Sequence, residues 1–341
     1  MSDLRGGFPG QPAEKYATIA GFWRRVLALL IDMLLLAAVG IAIGTVAYHY
    51  LLALGQEGRL IGAAITLVYY GVLNSGVGWA TFGKHLMGLR VVRRDGQQIA
   101  IFRSFLRTVA FWTPGYLNGV FFSHVAIPGV PVDTRIDAIV GGLDILIVFG
   151  GMILIPYFYV FNTRTRQSLH DLIAGTYVVK WEELPAPVVG HIWRGHYVAA
   201  TVVCLVCAGI PAWLPGVLPQ ISQTSMDNLT AIQLAVLARS EVTVAAVQTN
   251  SFTAWQTGQP ATRRTSLIVD TRVRDVPASM AAEENAIANV VLEKTPTIVG
   301  QQILTVKVSY GYDIGIWQWS YGDQWSGTPP QWQRRIGKIG A

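Results

Sequence analysis

The stretch from Arg24 to Gly44, RRVLALLIDMLLLAAVGIAIG, limits what this chain can fold into more than any other. A helix rises about 1.5 Å per residue and the hydrocarbon core of a bilayer is about 30 Å thick, so a run of this length can cross it. It is too long for the apolar region of a signal peptide and lacks a small-residue cleavage site, so it reads as an uncleaved anchor. Two arginines stand at its mouth and one carboxylate, Asp32, lies inside it. An ionisable group in hydrocarbon is costly; it faces other helices or water and has a partner. Arg25 and Asp32 are seven positions apart, which on a helix is about 700° of rotation and about 10 Å along the axis, nearly one face. A long arginine stem reaches that far, or snorkels to the headgroups instead. What Asp32 pairs with is therefore the first functional question.

Composition agrees with a membrane protein. The 341 residues are 52% hydrophobic and 13% charged, with mean hydropathy +0.40, whereas a soluble domain carries about 25% charged residues. Most of the net charge of +6 sits in residues 1–219, with 16 Lys/Arg against 11 Asp/Glu, while residues 220–341 carry 10 against 9. An excess in the apolar part reports topology and anionic lipid contact, not nucleic-acid binding. Cys204 and Cys207 lie inside an apolar run; small packing residues are the favoured reading over a redox pair.

Apolar runs recur at about 26–54, 60–80, 105–127, 138–161 and 197–218. With five crossings and the N-terminus inside, the inner segments hold Arg5, Lys15, Arg24, Arg25, Lys84, Arg90, Arg93, Arg94, Arg103, Arg107, Arg164, Arg166, Lys180 and Arg194, and the outer loops only Arg59 and Arg135. That asymmetry is the positive-inside signature, and it collapses if 105–127 does not cross. The expected fold is an all-α polytopic membrane bundle of about five transmembrane helices with a small α+β extracytoplasmic C-terminal domain. Residues 1–20 read as a mobile cytoplasmic tail, 21–182 as the membrane domain, 183–219 as a linker and final transmembrane helix, and 220–341 as the exported domain. Within the last, Met226–Val247 reads as a helix, SLIVDTRVRD as a half-buried strand, Met280–Lys294 as a helix with one buried stripe, and ILTVKVSYGYDIGIWQWSYGDQW as a hairpin turning near Gly311–Gly315.

Four separated segments carry a resemblance: RRVLALLID at 24–32, TFGKHLMGLRVVRRDG at 81–96, FLRT at 105–108 and RQSLHDLIAGTYVV at 166–179. Together, over about residues 20–180, they resemble the RDD membrane proteins, named for one arginine and two aspartates. The resemblance implies an integral protein of the bacterial cytoplasmic (inner) membrane and places the family residues on Arg25, Asp32 and Asp171. It also implies transport, including cation/proton exchange, as one activity suggested for such proteins.

Burial raises a carboxylate's pKa and a nearby arginine lowers it, so Asp32 under both influences suits proton or cation handling near neutral pH. The bland alternative is an Arg–Asp clamp pinning helices. Asp171, beside His170, lies at the same face of the bilayer as Arg24 and Arg25, so one Arg–Asp–Asp network with Arg25 shared between the two acids is expected. Asp144 is a second intramembrane acid, and Asn74 and Ser75 offer oxygen ligands or interhelical hydrogen bonds. Lys84, Arg90, Arg93 and Arg94 are expected at lipid headgroups. The TFGKHLMGLRV segment lacks phosphate-loop spacing, and no metal-ligand spacing, cofactor motif or enzyme motif is seen. The aromatic hairpin suits a stacking platform, an interfacial belt or a core. Two function classes follow: a transporter of protons or small cations using Asp32, Arg25 and Asp171, or a non-enzymatic anchor or regulator presenting residues 220–341 to an envelope partner. Membrane lipids and a homo-oligomeric or envelope partner are the expected contacts.

Overall fold

The computed structural model describes residues 19–55, 57–118, 139, 142–181, 191–217, 223–254, 262–294 and 303–339. It divides into two compact units: Met1–Val39, Gly62–Phe122 and Val132–Leu214, and Gly40–Ile61, Ser123–Pro131 and Pro215–Ala341.

The first unit is helical. Helix α1 (Phe22–Val46) begins in it, α2 (Tyr48–Leu54) belongs to the second unit, and α3 (Arg59–Leu73) returns. There follow α4 (Phe82–Leu86), strand β1 (Leu89–Arg93), α5 (Ile101–Leu117), α6 (Gly151–Phe161), α7 (Leu169–Ala174), β2 (Thr176–Lys180) and α8 (Arg194–Val217). Among the described residues, Phe22–Val46 and Gly142–Phe161 are long and apolar enough to cross a membrane. Helices α2 and α3 meet that test only as a pair bent by 108°, and Gly55 in the break takes φ 55°, a conformation glycine adopts without strain. That makes two candidate spans, or three if the bent pair is one, where five were expected. Helix α5 carries Arg103 and Arg107 along its length, and residues 119–138, the rest of the expected third span, lie outside the described residues. The tail 1–18 does too.

A two-stranded antiparallel sheet ties the distant motifs together, with Leu89 opposite Lys180 and Arg93 opposite Thr176. The Asp95–Gly96 turn folds the next residues back onto β1 through one bridge, Val92–Gln98, while β1 pairs along its length with β2. The reason is burial: Leu89, Val91, Val92, Val178 and Val179 are all at most 1% exposed, so these strands are covered on both faces, which a lone solvent hairpin cannot supply.

The second unit is α+β. Helix α9 (Gln223–Leu237), β3 (Val242–Ala254), β4 (Thr262–Val273), α10 (Met280–Lys294), β5 (Ile303–Asp313), β6 (Gln318–Gly327) and α11 (Pro329–Ile339) build a four-stranded sheet in the order β3-β4-β5-β6. The β4–β5 pair is parallel, joined through α10, and the other two pairs are antiparallel. The expected helix Met226–Val247 in fact splits: β-branched Val242 and Val244 pass into β3 after Leu237, where such side chains are favoured. The core unites Ile232, Val236, Leu267, Val269, Ile287, Val291, Leu304, Val306 and Trp332. Gly315 (φ 77°) turns the hairpin, closed by the Ile314 amide donating to the Trp317 carbonyl at 3.0 Å. The same unit packs Leu51 and Leu52 of α2 against Tyr312 and Ile314, and Tyr48 edge-on to Trp319.

Candidate functional site

Helix α7 is only six residues long, and its carboxylate Asp171 is fully buried. Gly175, at φ 63°, ends the helix in the left-handed conformation that turns the chain into β2. Two guanidiniums close on Asp171. Arg25 from α1 donates through Nη2 to Oδ2, and Arg107 from α5 donates through Nε to Oδ1 at 2.8 Å. The Ser168 amide and the Thr176 hydroxyl each donate to the same carboxylate at 3.3 Å. Arg25 also reaches the Arg166 carbonyl and lies over the Tyr159 ring, 4.9 Å from its centroid. Burial alone would raise the Asp171 pKa, but the guanidiniums of Arg107 and Arg25 override it and hold the carboxyl well below the usual carboxylate range.

Arg107 Nη2 lies 3.1 Å from His170 Nε2. A guanidinium only donates, so Nε2 accepts and Nδ1 carries the imidazole proton. Burial pushes His170 down to about 3. It is therefore neutral at physiological pH, whereas a lone histidine in water sits near 6.5.

Asp32 forms a separate cluster. Its Oδ1 accepts from the Tyr69 hydroxyl at 2.6 Å and the Gly83 amide at 2.7 Å, and its Oδ2 accepts from the Thr81 hydroxyl at 2.6 Å. The expected sharing of Arg25 between Asp32 and Asp171 is not what the geometry gives. Arg25 engages Asp171, and Asp32 caps the start of α4 from across the fold. Asp32 accepts the amide at the second residue of α4, doing for α4 what a local cap residue does. Gly83 makes this possible, because a Cβ there would lie 2.1 Å from the Ala28 carbonyl oxygen.

Lys84 links the two clusters. Its ammonium donates to Asn74 Oδ1 at 2.9 Å and to Thr81 Oγ1 at 3.4 Å, and lies 5.5 Å from the Tyr70 ring centroid. Burial first, then Arg107, lower it to about 7. Lys84 was expected at a lipid headgroup and instead turns inward. Arg90 is likewise buried, over Trp79 at 5.5 Å. Arg93 pairs with Asp95 at 3.3 Å and Arg94 is exposed, so these two keep a surface position. Asn74 also donates to the Tyr70 carbonyl, and Ser75 to the Val72 carbonyl; both hold the end of α3. Asp144 is half-buried, just before the π-helical turn Leu146–Gly150, and joins neither cluster.

Arg107, Tyr69, Thr81 and Gly83 were not singled out as site residues. Arg107, Thr81 and Gly83 lie within the motifs FLRT and TFGKHLMGLRV, which is the signal the sequence offers for them.

In the second unit, one sheet face packs on helices and the other is open. Along β4, Leu267, Val269, Thr271 and Val273 are buried while Asp270 and Arg272 alternate outward. The open face is a hollow of about 510 Å³, lined by Asp270, Arg272, Lys307, Ser309, Tyr321 and Asp323 among others. Lys307 donates to Asp270 at 2.8 Å.

Two curated relatives are uncharacterized proteins of Bacillus subtilis (strain 168). YckC is 25% identical over 161 residues, 47% of this chain and 83% of that protein. YxaI is 27% identical over 128 residues, 31% of this chain and 85% of that protein. No solved structure matches the chain. The two alignments and the family match fall on a chain whose described residues include candidate membrane spans and a buried Arg–Asp–Arg cluster. Residues 19–175 of this protein match the RDD family.

Proposed function

We propose that this protein is a non-enzymatic anchor or regulator of the bacterial cytoplasmic membrane, whose RDD domain holds helices together while residues 220–341 engage an envelope partner. One observation carries this reading: both family carboxylates are saturated. Asp171 is locked between two guanidiniums, and Asp32 accepts three short hydrogen bonds. A coupling acid has to gain and lose a proton or cation, and each of these would surrender several buried hydrogen bonds to do so.

The open polar face of the four-stranded sheet supports the second half of the reading. Its volume falls within the about 300–1,000 Å³ of ligand pockets. Orientation rests on the asymmetry of Lys and Arg between loops that five crossings would create, the one at 105–127 included. The grouping of residues 40–61 with the C-terminal sheet in one unit supports it as well, since the α2–α3 break lies in the segment expected outside. Arg93 and Arg94 remain suited to lipid headgroups.

Transport stays as a second reading because Lys84, a titratable cation, sits beside the Asp32 cluster. A photocrosslinking residue at Gln324 of the full-length protein in its native membrane separates the readings. The anchor reading expects a discrete adduct that is lost when Arg272 and Lys307 are both changed to Ala. Absence of any adduct from Gln324, Ser309 or Ser320 counts against it.

A further inference from the structure

Residues between Arg25 and Val178 line a half-open cavity of about 50 Å³. One water needs only about 10–15 Å³ of such space, so the cavity admits a small ion with hydration. The charged groups on its wall are all cations: Arg25, Lys84 and Arg107. The carboxylates nearby, Asp32 and Asp171, are taken up by the partners described above, and three cations against two acids leave one positive charge unmatched. Two further lining residues, Tyr70 and His170, are each 4% exposed. The Tyr70 hydroxyl and His170 Nδ1 are buried with no hydrogen-bond partner among the described residues. Nδ1 carries the proton and the Tyr70 hydroxyl has one to give, so each leaves a donor unused, at a cost of about 1–3 kcal/mol. A wall of donors around a surplus positive charge suits an anion.

We infer that this cavity binds one small inorganic anion of the halide class, held by Lys84, Arg25 and Arg107 and by hydrogen bonds from Tyr70 and His170. The site is independent of the partner-binding hollow in the second unit. Its occupancy depends on Lys84 being charged. The groups facing Lys84 are Arg25 and Asp32 from α1, Tyr69 and Tyr70 from α3, and Arg107 from α5. His170 and Asp171 face it from α7. Of these, Arg107 and Arg25 disfavour the ammonium while Asp32 and Asp171 favour it.

Purified full-length protein in detergent at pH 6 is titrated with sodium chloride or sodium bromide against sodium gluconate at equal ionic strength. The expected result is a saturable rise in thermal midpoint with halide alone, weakened at pH 8 as Lys84 loses its proton. Bromide-soaked crystals are expected to show one anomalous peak in the cavity. Tyr70→Phe removes a single unpartnered hydroxyl and keeps the fold; it is expected to weaken halide affinity several-fold, and Lys84→Met to abolish it. Equal midpoints in halide and gluconate, water alone in the cavity, or unchanged affinity in Tyr70→Phe overturns the proposal. If Lys84→Met does not fold, Tyr70→Phe and the bromide map still decide. Failure here leaves the Gln324 crosslink unaffected, so the two readings fail separately.

Discussion

Arg107→Gln tests the clamp most sharply, because Arg107 serves an acid that the sequence pairs with Arg25. The Arg107 side chain is 8% exposed and Asp171 is 0% exposed, so solvent screening relieves little of the loss. Removing one partner of a buried pair costs about 3–5 kcal/mol. Asp171 keeps Arg25, the Ser168 amide and the Thr176 hydroxyl, which puts the ion-pair loss near the lower end, about 3 kcal/mol. His170 Nε2 also loses its donor, adding about 1 kcal/mol. The sum, about 4 kcal/mol, is a shift of about a thousandfold in the folding equilibrium. Reversible unfolding in mixed dodecyl maltoside and dodecyl sulfate micelles, followed by tryptophan fluorescence, reads it. Arg25→Gln is expected to cost a similar amount. The double variant is expected to depart from additivity by about 1–3 kcal/mol, because both arginines act on one carboxylate. A cost below about 0.5 kcal/mol for Arg107→Gln, or additivity within about 0.5 kcal/mol, refutes the shared clamp.

Gly83→Ala is expected to destabilise by about 1–3 kcal/mol in the same assay, since its Cβ would lie 2.1 Å from the Ala28 carbonyl oxygen; a neutral result means α1 and α4 do not approach so closely. The pH dependence has a definite sign. His170 is lowered to about 3 when folded and titrates near 6.5 when unfolded. The unfolded chain therefore binds the extra proton between those values, and this stability is full above about pH 6.5 and lost as pH falls toward 3. His170→Gln, which retains an acceptor for Arg107, is expected to flatten the slope between pH 6.5 and 4.5; an unchanged slope shows that His170 is not its source. In a Cys204→Ala, Cys207→Ala background, Gln324→Cys is expected to react with an impermeant maleimide from outside the cell and Thr163→Cys only after lysis, and the reverse pattern overturns the orientation.

The membrane half was legible where chemistry is local. An apolar run of span length is visible in Arg24–Gly44, and RQSLHDLIAGTYVV is visible as a motif although its short helix and strand are not. The strand SLIVDTRV was legible because its alternation matches the pleat, and Met280–Lys294 because its apolar stripe matches helical spacing. What sequence spacing misassigned was partnership. Arg25 and Asp32 share a face by helical geometry, yet proximity along α1 did not decide pairing. Asp32 found donors on α3 and α4, 37 to 51 residues away, and Arg25 found an acid 146 residues away. Such contacts are set by how helices pack, which no single-helix periodicity encodes. Lys84 and Arg90 misled for a related reason. A basic segment beside a span resembles a headgroup anchor, but Arg90 sits on β1, which is covered on both faces, and Lys84 on α4 is drawn inward by Asn74 and Thr81. The helix expected over Met226–Val247 failed at Val242, where Ala, Val and Leu are common to helices and buried strands and periodicity alone does not separate them.

Ion flux measures the central claim directly. Protein reconstituted in liposomes carrying a pH-sensitive dye is challenged with sodium, potassium and proton gradients, beside Asp32→Asn and protein-free vesicles. With Asp32 saturated and Asp171 clamped, proton movement is expected to equal that of empty vesicles in both preparations. Saturable, cation-dependent proton movement that is lost in Asp32→Asn, with that variant still folded, contradicts the account.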